Sequence, residues 1–174
     1  MNAYAWTVEF ERIFRQAVQA YGEGRRGAEN FFNPDELNFL QSIGCTAQEL
    51  YDFAEDNSNR GDPDFGTVLL ITAARRDYFQ IHLHGKYSGQ TVAMEALPAK
   101  TDQVDGIEWL PRLIMKARLK LRGEMNADLM YGCGGDRAFF RKYDIHPADF
   151  LRLAWAAEDD DQCLIDYVKS RSVA

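Results

Sequence analysis

One short phrase recurs along this chain and constrains its fold more than any other feature. It is a polar cap, often followed by proline, with an acid in the first turn. Asn33-Pro34-Asp35-Glu36, Thr46-Ala47-Gln48-Glu49 and Asp62-Pro63-Asp64 carry it, and His146-Pro147-Ala148-Asp149 repeats it late in the chain. A cap side chain accepts from the open amides of a helix start, proline suits the first helical position, and the acid reaches back to the cap. Phe32 with Leu37, Cys45 with Leu50 and Ile145 with Phe150 bracket three of these starts as hydrophobic staples. So many starts in 174 residues predict an all-α fold, a bundle of short, well-capped helices.

Apolar periodicity fills in the segments. Trp6, Phe10, Ile13, Phe14, Ala17 and Tyr21 share one face of a helix over 6–21, and Glu11 with Arg15 forms an i,i+4 pair outside it. Further helices are predicted to follow the starts at 34 and 46, the second running to about Asp56 with a loop over 57–62. The stretch 63–82 is apolar nearly all round and predicts a buried helix. Together with a basic helix over 108–122, it is expected to form the centre of the bundle. Three more helices are expected at 136–143, 147–157 and 161–171, the last preceded by the acidic run Glu158 to Asp161. Phe79 to His84 alternates with period two, so a small β-ribbon over 79–97 competes there with a helix continuing to Gly85. Residues 97–106 read as a linker.

A shift of 100 residues lays Phe10, Ile13, Phe14 and Ala17 on Leu110, Leu113, Ile114 and Ala117. It also lays Leu50, Phe53 and Ala54 on Phe150, Leu153 and Ala154, and the start signals coincide. The expectation is one domain over 1–174 with two pseudo-repeated lobes, 1–100 and 105–174.

Composition narrows the setting. No apolar run approaches the roughly 20 residues of a membrane span. The opening residues lack the basic-then-apolar layout of a signal peptide. Cys45, Cys133 and Cys163 are an odd, scattered set, which argues for a reducing cytoplasm over a disulfide framework. A net charge of −7 disfavours general affinity for nucleic acid, and no aromatic interleaving marks a nucleic-acid surface.

The basic helix carries the sharpest pattern. Leu110, Leu113, Ile114, Ala117 and Leu121 fall on one face, with Met115 and Leu119 opposite. Arg112, Lys116 and Lys120 fill one flank, Arg118 and Arg122 the other. Two apolar sides predict a helix sandwiched within the bundle or meeting a second copy through Met115 and Leu119. The basic flanks are candidates for anion binding. Downstream, Tyr131-Gly132-Cys133-Gly134-Gly135-Asp136 places Cys133 at a helix start, where open amides and the helix dipole favour an anion or a thiolate. The plainer reading makes Cys133 a small buried residue in a tight turn and Asp136 its capping acid.

Leu110-Pro111-Arg112, Lys116-Ala117-Arg118, Gly123, Tyr131, Cys133, Asp136, Ile145 and Phe150 together give the C-terminal lobe its likeness. On these residues it resembles the bacterial family called domain of unknown function 5069. The resemblance implies no activity. The family's pattern has an acid just before the lysine, where this chain has Met115, so any acid–base pair at that place is missing here.

The function expected from the residues is a cytoplasmic binding or interaction module for a small anionic ligand or a protein partner. Its ligand-binding candidates are Arg112, Lys116, Arg118, Cys133 and Gly134. The alternative is a thiol enzyme using Cys133, assisted by Tyr131 or Asp136, and a second alternative is a structural subunit of an assembly. His82, His84 and His146 form no metal-binding spacing, so no metal or cofactor is expected.

Overall fold

The start signals at Asn33 and Thr46 work as read, whereas at the third the cap is Asp64 in place of Asp62 and the helix begins after Pro63. In the computed structural model, which describes residues 4–171, Asn33 Oδ1 accepts from the Glu36 amide and Glu36 Oε2 accepts from the Asn33 amide, both at 3.0 Å. Thr46 and Glu49 make the same reciprocal box, and Asp64 caps the next helix through the Thr67 amide at 2.7 Å. The result is all-α. Eight α-helices occur among the described residues: α1 (Trp6–Gly22), α2 (Pro34–Ser42), α3 (Ala47–Arg60), α4 (Phe65–Ile81), α5 (Leu110–Arg122), α6 (Gly134–Lys142), α7 (Pro147–Ala156) and α8 (Asp161–Arg171). Among the described residues no helix is long and apolar enough to cross a membrane, and no disulfide joins the cysteines.

The chain divides into two compact units, one up to Gly85 and one from Lys86 onward. In the first, α1 packs on both α3 and α4 and buries Phe10, Ile13, Phe14, Ala17 and Tyr21. That makes α1 the central helix there, in place of the expected 63–82. The α4 helix buries Val68, Ile71, Ala74 and Phe79, but its Leu70 and Ile81 face outward. The α3 helix also outruns its expected end. It continues through Asn57 to Arg60 because the stop is supplied by Gly61 in the left-handed conformation, at φ 68°, and Asn57 is tied to the Pro63 carbonyl at 2.9 Å.

Of the two alternatives over 79–97, the structure has no ribbon there, and the helix stops short of Gly85. The α4 helix ends at Ile81, and the two-stranded ribbon lies instead in the predicted linker, as β1 (Gln103–Val104) and β2 (Ile107–Glu108). Its antiparallel register pairs Gln103 with Glu108 and Val104 with Ile107. Asp105 and Gly106 both take positive φ, 51° and 76°, as the tight hairpin turn between twisted strands requires.

The ribbon delivers the chain to α5, the centre of the second unit, which packs on α7, α8 and β1. One side of α5 buries Leu110, Leu113, Ile114, Ala117 and Leu121. On the other side, Leu119 is fully buried with Leu97 and Leu129, and Val92, Met94, Met115 and Met125 pack around them. Both apolar sides of α5 are therefore satisfied within its own unit. Leu119 is fully buried there, and Met115 is partly buried.

The shift of 100 residues holds at the level of elements. The α2 and α6 helices start at 34 and 134 and end at 42 and 142, and α3 and α7 start at 47 and 147. The same pair dominates the packing of each unit, α1 on α3 in the first and α5 on α7 in the second. Glu36 and Asp136, equivalent under the shift, both sit three residues into their helices and are both buried.

Candidate functional site

Asp136 is where the second unit concentrates its polar chemistry. Its carboxylate has no exposed surface and collects three donors. The Trp109 indole Nε1 donates to Oδ1 at 2.9 Å, while Lys116 Nζ at 2.5 Å and the Gly132 amide at 2.8 Å donate to Oδ2. Lys116 is 2% exposed, so this is a buried ion pair between the middle of α5 and the first turn of α6. Such a pair holds only when its remaining hydrogen-bonding capacity is filled. Here the indole and the amide fill it. The capping role read for Asp136 is confirmed in part: it reaches back to the Gly132 amide, one residue before the cap Cys133.

Trp109 takes φ 72°, a left-handed conformation that costs a bulky residue on the order of 1–3 kcal/mol. Its indole explains why the backbone stays there. The ring donates to Asp136 and lies flush on α6, so close that a Cβ on Gly135 would sit 2.5 Å from Trp109 Cζ2. Gly135 is thus a packing glycine. The helix cap at Cys133 uses no side-chain bond. Its Sγ lies 3.4 Å from Lys116 Nζ, and the residue is partly exposed.

One of the two candidates for acid–base assistance, Tyr131, is bonded away from Cys133. Tyr131 is 1% exposed and its hydroxyl donates to the Pro147 carbonyl at 2.7 Å. Burial, and secondarily the charge of Asp136, pushes its phenol well above the ordinary tyrosine range. The turn's backbone is also occupied, since Arg137 Nη1 donates to the Gly132 carbonyl at 2.6 Å. Gly134 opens α6 and is exposed.

The basic flanks of α5 separate. Lys116 belongs to the buried node. Arg112 Nη1 donates to the Pro98 carbonyl at 2.7 Å. Arg118 faces a groove of about 450 Å³ lined also by Pro98, Val104, Ile114, Met115 and Ile165, with Arg122, Asp159 and Asp161 among its polar lining. Arg118 Nε donates to the Glu158 carbonyl at 3.0 Å and Nη1 pairs with Asp161, while Nη2 is buried without a hydrogen-bond partner. The structure therefore brings Lys116, Cys133 and Asp136 together and leaves Arg112 and Arg118 outside that group. Trp109 and the groove were not singled out as site features. Trp109 marks the first residue before the basic helix, but its partnership with Asp136 spans 27 positions and has no local signal.

Two of the three histidines have structural surroundings. His146 Nδ1 accepts from the Ala148 amide at 3.2 Å as a helix cap, and His82 stacks on Tyr78. Among the described residues no group of three or more His, Cys, Asp or Glu side chains is placed to hold a metal ion.

Residues 95–173 match the family model described as Domain of unknown function (DUF5069). The resemblance of the C-terminal part to that family is therefore shown. The match spans the ribbon, α5 to α8, the Asp136 node and the groove, and its description assigns no activity. No curated protein and no solved structure matches the chain.

Proposed function

We propose that the C-terminal unit is a binding module for a small molecule with an apolar body and one carboxylate, seated in the groove along α5. The observation that carries this reading is Arg118: its Nη2 is buried at the groove and has no partner. A guanidinium donor in that state is incompletely satisfied, and a carboxylate is the acceptor it fits best. The groove's volume falls within the range of about 300–1,000 Å³ usual for small-ligand sites, and Ile114, Met115 and Ile165 supply apolar floor. Asp159 and Asp161 offset the two arginines, so long-range attraction is weak and affinity rests on burial and on the one directed contact. The odd, unbridged cysteines fit a reducing cytoplasmic setting.

The test is calorimetric binding of a panel of small aliphatic and aromatic carboxylates beside their neutral amides. Carboxylates are expected to bind, amides to bind weakly, and Arg118→Gln to lose about tenfold or more, the worth of one charge-assisted hydrogen bond. The reading is wrong if no carboxylate binds below about 1 mM, or if the amides bind as well as the acids.

A further inference from the structure

Lys116 and Cys133 meet away from the groove and play no part in the binding reading above. Their Nζ–Sγ separation is 3.4 Å, the amine is almost wholly buried, and the thiol is partly open to solvent. We propose that this pair is a modification site: under peroxide it closes into a covalent N–O–S crosslink, joining the middle of α5 to the start of α6.

The placement suits that product in three ways. A partly exposed thiol can be reached by a small oxidant, which converts it to the sulfenic acid. The amine is the nearest reactive group, held in place by Asp136 at 2.5 Å. One oxygen bridging the two atoms leaves them closer to their present spacing than a direct sulfur–nitrogen bond would, and the packed indole and α6 resist the larger movement.

The steps balance with two hydrogen peroxide molecules. In the first, the Cys133 S–H takes one oxygen, an S–O bond forms, the peroxide O–O bond breaks, and one water leaves. In the second, the sulfenic O–H and one amine N–H are lost, an N–O bond forms, and the second peroxide leaves as two waters. Sulfur and nitrogen each give up two electrons, and each peroxide accepts two. The ammonium's extra proton passes to Asp136 Oδ2 and then to solvent. Two equivalents of a dithiol reverse the change, each giving two electrons and two protons: thiol and amine are restored, one water is released, and both dithiols leave as disulfides.

The experiment treats the full chain with hydrogen peroxide and maps it by non-reducing mass spectrometry. The expected product gains one oxygen and loses two hydrogens, appears as a single peptide joining the Lys116 and Cys133 segments, and reverts with dithiothreitol. Its urea midpoint lies above that of the reduced chain. Cys133→Ser abolishes the product. Lys116→Arg, which keeps a cation beside Asp136, abolishes it too and directs Cys133 to sulfinic acid. An unreacted Cys133 in the parent chain overturns the proposal. So does its sulfinic or sulfonic acid without a link, a disulfide, or a link lacking the oxygen.

Discussion

Replacing Lys116 by methionine probes the node most directly. The substitution keeps the length and apolar stem of the side chain and deletes only the ammonium. It leaves the fully buried Asp136 carboxylate with two of its three donors, the Trp109 indole and the Gly132 amide. Breaking a buried ion pair by removing one partner costs about 3–5 kcal/mol, and the two surviving donors put this variant near the lower end, about 3 kcal/mol. Asp136→Asn is expected at the upper end, about 5 kcal/mol, because it strands an ammonium that is 2% exposed. The double variant buries no net charge. It is expected to fall short of the sum of the single losses by at least about 2 kcal/mol, the coupling of a shared network. Urea unfolding followed by circular dichroism reads this, since a slope of about 1–3 kcal/mol per molar turns 3 kcal/mol into a midpoint shift of about 1–3 M. Hydrogen exchange of the α5 and α6 amides assigns the transition to the C-terminal unit. A Lys116→Met variant within about 1 kcal/mol of the parent, or a double variant equal to the sum of the singles, would refute the claim that these two residues act as one unit.

Two further outcomes follow from the same region. Gly135→Ala drives a Cβ to 2.5 Å from the Trp109 ring and should cost about 1–3 kcal/mol by overpacking, checked by urea midpoint, with Trp109→Phe in the same chain recovering less than the whole because the Asp136 donor is lost. Tyr131 has its phenol raised by burial first and by Asp136 second, so the folded state holds that proton more tightly than the unfolded chain; the stability it contributes is complete below the unfolded tyrosine value of about 10 and falls as pH rises above it, and Tyr131→Phe should flatten that alkaline loss while costing about 0.5–1.5 kcal/mol at neutral pH for the hydrogen bond to Pro147.

What could be read beforehand divides by distance along the chain. The capping boxes at Asn33 and Thr46 lie within four residues, and they stand as read. So does the position of Asp136 in the first turn of α6, because its shift-equivalent Glu36 carries the same signal. The end of α3 was misplaced because Asn57 to Arg60 have the composition of a loop, while the real stop is the left-handed Gly61. The ribbon at Gln103–Glu108 lay hidden in a segment whose composition reads as a linker, although Asp105-Gly106 is a hairpin signal. The pairing of Lys116 with Asp136, across 20 residues, and of Arg118 with Asp161, across 43, depends on how α5 meets α6 and α8, and helix periodicity says nothing about which flank finds which partner.

The contact between Trp109 and Gly135 has a consequence for how relatives of the C-terminal part can diverge. A side chain at 135 becomes tolerable only after residue 109 has shrunk, whereas a smaller residue at 109 gives up the donor that Asp136 depends on. The route that changes 135 first passes through a clash, and the route that changes 109 first passes through an under-satisfied buried acid. Lineages should therefore keep both residues or replace them together with Asp136 and Lys116, so the four positions should vary as a block. Free variation at 135 beside an unchanged tryptophan would contradict the close contact itself.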